Sequence, residues 1–296
     1  MKILNYGSLN IDDTYQVGHI VRPGETLTSQ SMERFPGGKG LNQSVALARA
    51  GANVWHGGCI GADGVFLKQL CAEAGADVSL IREIDAPTGH AIIQVDENGQ
   101  NSIVLYPGTN RMQRTEWLRE AVSPFERGDW LLLQNEVNGI GMLMELAKEK
   151  GMKIALNPSP YDEKVAECPL ALVDLFLLNE VEGEQLTGEK EPGRILDAIS
   201  RKWPQAATVL TLGPAGSIYR KDGITIRQEA YPADAADTTG AGDTYTGYFL
   251  AGLLQGDTPE KAMSYAAMAA SIAVTRKGAA VSIPVCSEVE KKLSAG

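Results

Sequence analysis

The chain has 296 residues, enough for one large domain or two modest ones and far too many for a small disulfide scaffold. Its 27 basic and 37 acidic residues leave a net charge of −10, which argues against nonspecific binding to nucleic acid or to an anionic membrane. A 44% hydrophobic and 22% charged composition is that of a globular protein, and only glycine stands out, at 32 of 296 residues or about 11% against a usual ~7%, so tight turns or close backbone approaches to a ligand are expected.

The amino-terminal MKILNYGSLN predicts a strand over residues 3–9. It has one lysine but neither the apolar stretch nor the small-residue cleavage site of a signal peptide, so a cytoplasmic protein is expected. Residues 14–35 are strand-rich and lead into the glycine loop Pro36 to Gln43. A helix follows over 41–50, with Leu41, Val45 and Ala48 on one face, then a strand over 53–60 and a helix over 65–74. Residues 89–106 predict a hairpin around Glu97-Asn98-Gly99, whose Asn-Gly pair is a turn signal. Further strands are expected over 130–133, 153–156, 172–178 and 208–212, with a helix over 140–150 between the first two. That alternation predicts an α/β fold with a parallel sheet covered on both faces. Segments 14–35 and 89–106 break the rhythm and are expected to pair, as antiparallel strands, into a small lid over about 13–36 and 89–108. With no repeat, linker or low-complexity tract, residues 1–296 are expected to form a single domain. No apolar run nears the roughly 18 residues of a transmembrane helix, since the alanine-rich stretch near Ala266 is interrupted by Ser271 and Arg276.

Much chemistry is excluded by what is missing. Cys59, Cys71, Cys168 and Cys286 are scattered without a C-x-x-C, so they are expected as free thiols rather than as a zinc or redox site. Only His19, His56 and His90 are present, with neither H-E-x-x-H nor G-x-S-x-G, which leaves zincin and hydrolase triads without support.

Three glycine clusters remain. Gly37-Gly38-Lys39-Gly40 fails as a P-loop because Gly40 and Leu41, not Ser or Thr, follow Lys39, and it fails as a dinucleotide fingerprint because Gln43 stands where a third glycine belongs. It is either a plain turn or a loop that brings polar groups to a ligand at a helix start. Thr211-Leu212-Gly213-Pro214-Ala215-Gly216 leaves a strand where α/β sheets bind ligands, though an ordinary strand exit explains it nearly as well. The third, Asp237-Thr238-Thr239-Gly240-Ala241-Gly242-Asp243, opens an amphipathic helix carrying Tyr248, Phe249 and Leu253. Its small residues leave the unpaired amides of a helix start open to an anion. Asp243 could simply cap that helix. Beside such amides it could instead take the proton of an attacking hydroxyl while they stabilise a transferring phosphoryl group. In-line phosphoryl transfer asks for positioning rather than His or Cys machinery.

The run Asp-Thr-Thr-Gly-Ala-Gly-Asp, the earlier Gly-Gly-Lys-Gly-x-Asn-Gln and the amino-terminal Gly-Ser-Leu-Asn-Ile-Asp resemble the ribokinase family of sugar and nucleoside kinases, also called PfkB-type. The likeness runs from Tyr6 to about Pro284 with the motifs in the family's order, and Asn157-Pro158-Ser159-Pro160, Asn179-Glu180-Val181-Glu182 and Ala273 to Gly278 look most like those of ribokinases. The resemblance implies a three-layer α/β/α fold with a central mainly parallel sheet and a small β-sheet lid. It implies transfer of the γ-phosphate of ATP to a primary hydroxyl, first of all that of D-ribose at O5, with another sugar or a nucleoside as the alternative acceptor. A noncatalytic sensor on the same fold is the remaining alternative, and it would have no need of Asp243.

By the same resemblance Asp243 is the catalytic base and Gly240, Ala241 and Gly242 form the anion hole. Asn10, Asp12, Gly38, Lys39, Asn42 and Glu136 hold the sugar, where each buried hydroxyl needs a partner. Asn179, Thr211, Gly213 and Gly216 serve the nucleotide. Glu182 positions Mg2+ through water, and a K+ activator is held by Asp237, Thr239, Ala273, Arg276, Gly278 and Ser282, with Arg276 using its carbonyl. A homodimer through the lids is implied as well. Three positions depart from the ribokinase pattern: Ala267 where a histidine would lie near adenine, Asn135 in place of an apolar residue before Glu136, and Pro107-Gly108-Thr109-Asn110 beneath the lid.

Overall fold

The computed structural model describes residues 1–295, and Gly296, the last residue of the expected domain, lies outside them. The chain forms thirteen strands among the described residues: β1 Ile3–Tyr6, β2 Asn10–Gln16, β3 Ser31–Gly37, β4 Val54–Ile60, β5 Asp77–Glu83, β6 Gly89–Val95 and β7 Asn101–Tyr106 come first. β8 Trp130–Gln134, β9 Lys153–Asn157, β10 Leu175–Asn179, β11 Ala207–Thr211, β12 Ser217–Lys221 and β13 Ile224–Gln228 follow. Nine of them make one sheet in the order β13-β12-β11-β10-β9-β8-β1-β4-β5, in which β12 alone runs against the others. The other four make the order β3-β2-β6-β7.

Helices cover the large sheet on both sides, as the doubly apolar strands require. In β8 the side chains alternate between two cores: Trp130 and Leu132 join Val45, Phe249 and Ala266 on one face, while Leu131 and Leu133 join Phe176, Ile195 and Leu143 on the other. The helices Lys39–Arg49 and Ala241–Gln255 lie against each other in the first of these layers. A Cβ at Gly247 would collide with Ala46, so glycine there permits the close crossing. This approach brings the starts of the two helices together at the carboxyl end of the sheet, where α/β proteins hold ligands.

Three expectations need correction. The first strand stops at Tyr6 rather than at residue 9, because the chain leaves the large sheet at Gly7 and enters the small one at Asn10. The strand expected over 172–178 begins at Leu175, after Pro169 has set up a single 3-10 turn at Leu170–Leu172. In the small sheet β2 and β6 run parallel, not antiparallel. Both leave the same end of the large sheet after parallel strands β1 and β5, so both travel outward in one direction. The expected hairpin is present as antiparallel β6 and β7, closed by a turn in which the amides of Asn98 and Gln100 donate to the Asp96 carboxylate.

Candidate active site

Where the small sheet meets the large one, the expected sugar residues come together. β2 pairs with β3 in the register Asn10 to Gly37 and Asp12 to Phe35, so the glycine loop begins beside Asn10. Asn10 and Asp12, two apart on a strand, face the same side. Glu136, in the turn after β8, accepts the backbone N–H of Lys39 at 2.9 Å and a hydrogen bond from the Ser8 hydroxyl. Burial pushes the Asp12 carboxyl up to about 7, with the nearby Glu136 and Asp13 acting in the same direction. Burial also raises Glu136, against the opposing pull of the Lys39 ammonium. The Asp243 carboxylate holds the Lys39 ammonium above its ordinary value despite burial, helped by Glu136 and Glu182.

Asn110 and Arg111, which sequence reasoning missed as site residues, hold this cluster in shape. Asn110 Nδ2 donates to Asn10 Oδ1 at 2.7 Å and Asn110 Oδ1 accepts the Leu9 N–H at 3.1 Å. Arg111 donates to the carbonyls of Asn135 and Val137 at 3.2 and 3.3 Å, so it grips both sides of Glu136. Asn135 donates to the Pro160 carbonyl at 2.7 Å, which gives this buried polar residue its partner. Two departures from the ribokinase pattern, at Asn135 and in the segment after Pro107, are therefore neighbours. In the sequence these segments stood out only as departures from that pattern, and nothing local marked Arg111.

Asp243 is 6% exposed and does not cap its helix, whose cap is Gly240 at φ 75°. Its carboxylate is turned instead to the other helix: Oδ2 accepts from Asn42 Nδ2 at 2.9 Å and Oδ1 from Gln43 Nε2 at 2.8 Å. A cavity of about 230 Å³ opens over it, lined also by Lys39, Asn157, Asn179, Glu182 and Gly240. Asn179 and Glu182 form a reciprocal capping box at the start of Glu180–Thr187, the Glu182 N–H reaching Asn179 Oδ1 at 2.9 Å and the Asn179 N–H reaching Glu182 Oε2 at 3.1 Å. That leaves Glu182 Oε1 without a bond in the box. A second cavity of about 520 Å³ shares Thr211, Gly242 and Tyr245 with the first and continues between Gly213, Gly216 and Ala267. Ala267 itself thus offers no side-chain hydrogen bond to a base, although Ser271 lines the same cavity. Together the two cavities run past the amino-terminal amides of Ala241–Gln255, a suitable seat for an anion.

The third expected group also assembles. Asp237 Oδ1 accepts the Thr239 N–H and Oδ2 the Gly278 N–H, each at 2.9 Å. Burial would raise this carboxyl, but the Thr239 and Gly278 donors together hold it below its ordinary value. Arg276 turns its guanidinium to Glu288 and, at 3.4 Å, to the Ser282 carbonyl, while its N–H bonds the Ala273 carbonyl at 3.0 Å. Among the described residues no donor is bonded to the carbonyls of Thr239, Arg276 or Gly278. One carboxylate amid carbonyls fits a weakly charged, easily dehydrated cation. The Glu182 carboxylate, with Oε1 left over from the capping box, fits an ion that keeps its waters.

The chain is similar to known proteins over nearly its whole length. The description "pfkB family carbohydrate kinase" matches residues 1–286. A ribokinase of Haemophilus influenzae is 36% identical over 292 residues, covering 95% of each chain. The crystal structure of a ribokinase from Cryptococcus neoformans in complex with ADP superposes with a TM-score of 0.87 at 31% identity, covering 98% of this chain and 99% of that one. The Arabidopsis thaliana ribokinase complexed with ribose and ATP gives 0.84 at 28% identity, covering 99% and 98%. Residues matched over nearly the whole length, a ribokinase-like fold and a phosphate-suited helix start beside a buried carboxylate lead to one conclusion: the chain belongs to the pfkB family of carbohydrate kinases, phosphotransferases with an alcohol group as acceptor.

Proposed function

We propose that the chain transfers the γ-phosphoryl group of ATP to O5 of D-ribose, giving D-ribose 5-phosphate and ADP. The observation that carries this reading is Asp243, buried beside the amide-bearing turn Gly240 to Gly242 and linked to Glu136 of the polar cluster through Lys39, which bonds Glu136 by its N–H and faces Asp243 with its ammonium. Asn10, Asp12, Gly38, Lys39, Asn42 and Glu136 hold the sugar hydroxyls. At neutral pH both forms of Asp12 are populated, so it can accept from or donate to a hydroxyl. As O5 attacks the γ-phosphorus, Asp243 takes its proton, the new O5–P bond forms, and the bond to the bridging oxygen of ADP breaks. The amides of Gly240, Ala241 and Gly242 stabilise the charge on the transferring group, with the Lys39 ammonium nearby. Thr211, Gly213, Gly216 and Asn179 line the path of the nucleotide. Mg2+, placed by Asn179 and Glu182 through water, supplies charge neutralisation on the phosphates. Asp237 and the carbonyls of Thr239, Ala273, Arg276, Gly278 and Ser282 would hold K+, and the bound ion would supply the positive charge that keeps the loop carrying the anion-binding amides in order.

ADP release measured over a panel of pentoses, hexoses and nucleosides tests the acceptor. D-ribose is expected to give the highest kcat/KM. Preference for another sugar or for a nucleoside would replace it, and no ADP release with any acceptor would favour a sensor. Repeating the ribose assay at fixed ionic strength, with potassium replaced by choline, should lower kcat severalfold. Equal rates after exhaustive removal of bound cation would eliminate the cation site.

The reading places the enzyme in the cytoplasm with its ATP, as one domain over residues 1–296 whose lid is the four-stranded sheet. Among the described residues no helix is long and apolar enough to cross a membrane. On the face turned away from Asn10 and Asp12 the lid exposes the cross-strand pair Ile92 and Val104. This outward apolar pair suits pairing with the lid of a second copy. Sedimentation at micromolar concentration should give a dimer, and an active enzyme that stays monomeric would refute the pairing.

A further inference from the structure

Behind Asp243 lies a row of buried amides to which the reaction gives no task. Asn5 on β1, Gln134 at the end of β8 and Asn157 at the end of β9 sit on three neighbouring strands, and Gln43 on the helix Lys39–Arg49 completes the row. All four are buried, Asn5, Gln134 and Gln43 completely. Gln43 Nε2 donates to Asp243 Oδ1 at 2.8 Å and to Asn157 Oδ1 at 3.2 Å. Gln134 Nε2 donates to Gln43 Oε1 at 2.6 Å and to Asn5 Oδ1 at 2.9 Å.

The row has a direction. A carboxamide can turn over and exchange its donor and acceptor ends, but a backbone carbonyl only accepts. Asn5 Nδ2 bonds the Gly40 carbonyl at 2.8 Å, which leaves Asn5 Oδ1 to face Gln134. Gln134 must then present its NH2 to Asn5 and to Gln43, so the oxygen of Gln43 is engaged and its NH2 points to Asp243. From the other side, Asn157 Nδ2 bonds the Leu177 carbonyl at 2.8 Å, which leaves Asn157 Oδ1 for the second hydrogen of Gln43. Both anchors demand the same orientation. Among the described residues Gln134 Oε1 is buried without a partner, so an unsatisfied acceptor is tolerated while both its hydrogens serve the row.

We infer that Gln43 is a positioning residue that locks the Asp243 carboxylate in one orientation for the acceptor hydroxyl, and that Gln134 and Asn157 hold Gln43 for that task. With Asn42 on Oδ2 and Gln43 on Oδ1, the carboxylate plane is fixed before the sugar arrives. Preorganisation of this kind acts on the chemical step more than on substrate affinity.

The inference rests on Asp243 being the base, so the test separates the two. Gln43→Met keeps the volume and removes the donor. With D-ribose and magnesium-ATP its kcat should fall about 10- to 10²-fold, with both KM values within about twofold of the parent. In an Asp243→Ala background the same substitution should cost nothing further. Gln134→Met touches neither substrate nor Asp243 and should lower kcat in the same sense. It decides the matter if Gln43→Met fails to fold. Unchanged kcat in both variants, or an equal loss with and without Asp243, would overturn the inference alone. Activity retained by Asp243→Ala itself would remove the base assignment and this inference with it.

Discussion

Asp243→Ala is expected to lower kcat by about 10² to 10⁴ while KM for sugar and ATP changes little, because a general base acts in the transition state and the ground-state contacts lie elsewhere. The substitution also leaves the amide hydrogens of Asn42 and Gln43 without their acceptor. A buried donor deprived of its partner costs roughly 1–3 kcal/mol, so the melting temperature should drop while the protein remains folded. Asp243→Asn is the control for that loss. It keeps the shape and one acceptor oxygen but has no basic carboxylate, so its kcat should be as low as that of the alanine variant. Measuring kcat beside thermal unfolding separates the two effects. A variant that retains more than half of the parent kcat would remove Asp243 from the reaction.

Substitution in the anion-binding turn should separate fold from function more sharply. A Cβ at Gly242 meets nothing within 4 Å, and Gly242 lines both cavities. Gly242→Val should therefore fold with near-parental stability yet fill the space over the helix start. Displacing the phosphoryl group from its donors is expected to cost about 10²- to 10³-fold in kcat. Gly240 differs: at φ 75°, a Cβ there would lie 2.9 Å from that of Ala279. Gly240→Ala should lose both activity and about 1–3 kcal/mol of stability. If Gly242→Val turns over ATP at the parent rate, the phosphate does not sit on these amides.

The chemistry-bearing segments could be read because they are local. A glycine-rich strand-to-helix turn exposes amides wherever it occurs, so Gly240 to Gly242 and the loop before Leu41 identified themselves without knowledge of the fold. The two lid segments were visible for a similar reason, as alternating strands that interrupted a βα rhythm. Their mutual direction was not visible. The parallel pairing of β2 with β6 follows from where β1 and β5 end in the large sheet, and strand order is not written in any one segment. Asn135 and Pro107 to Asn110 stood out only as departures, and their connection through Arg111 spans 24 to 26 residues.

Sequence by itself determined the α/β class, the family and the small set of residues able to handle a phosphoryl group, since periodicity and contiguous motifs carry those facts. Tertiary structure alone decided what Asp243 faces and how it is held. Its partners Asn42 and Gln43 lie 201 and 200 residues away, and Gln134 lies 129 residues from Asn5. Those contacts depend on the placing of β1, β8 and β9 side by side and on the close helix crossing at Gly247. A side-chain hydrogen bond is made over about 3 Å and in a defined direction. Only packing that brings distant segments to that range and orientation can determine which amide ends up on the carboxylate.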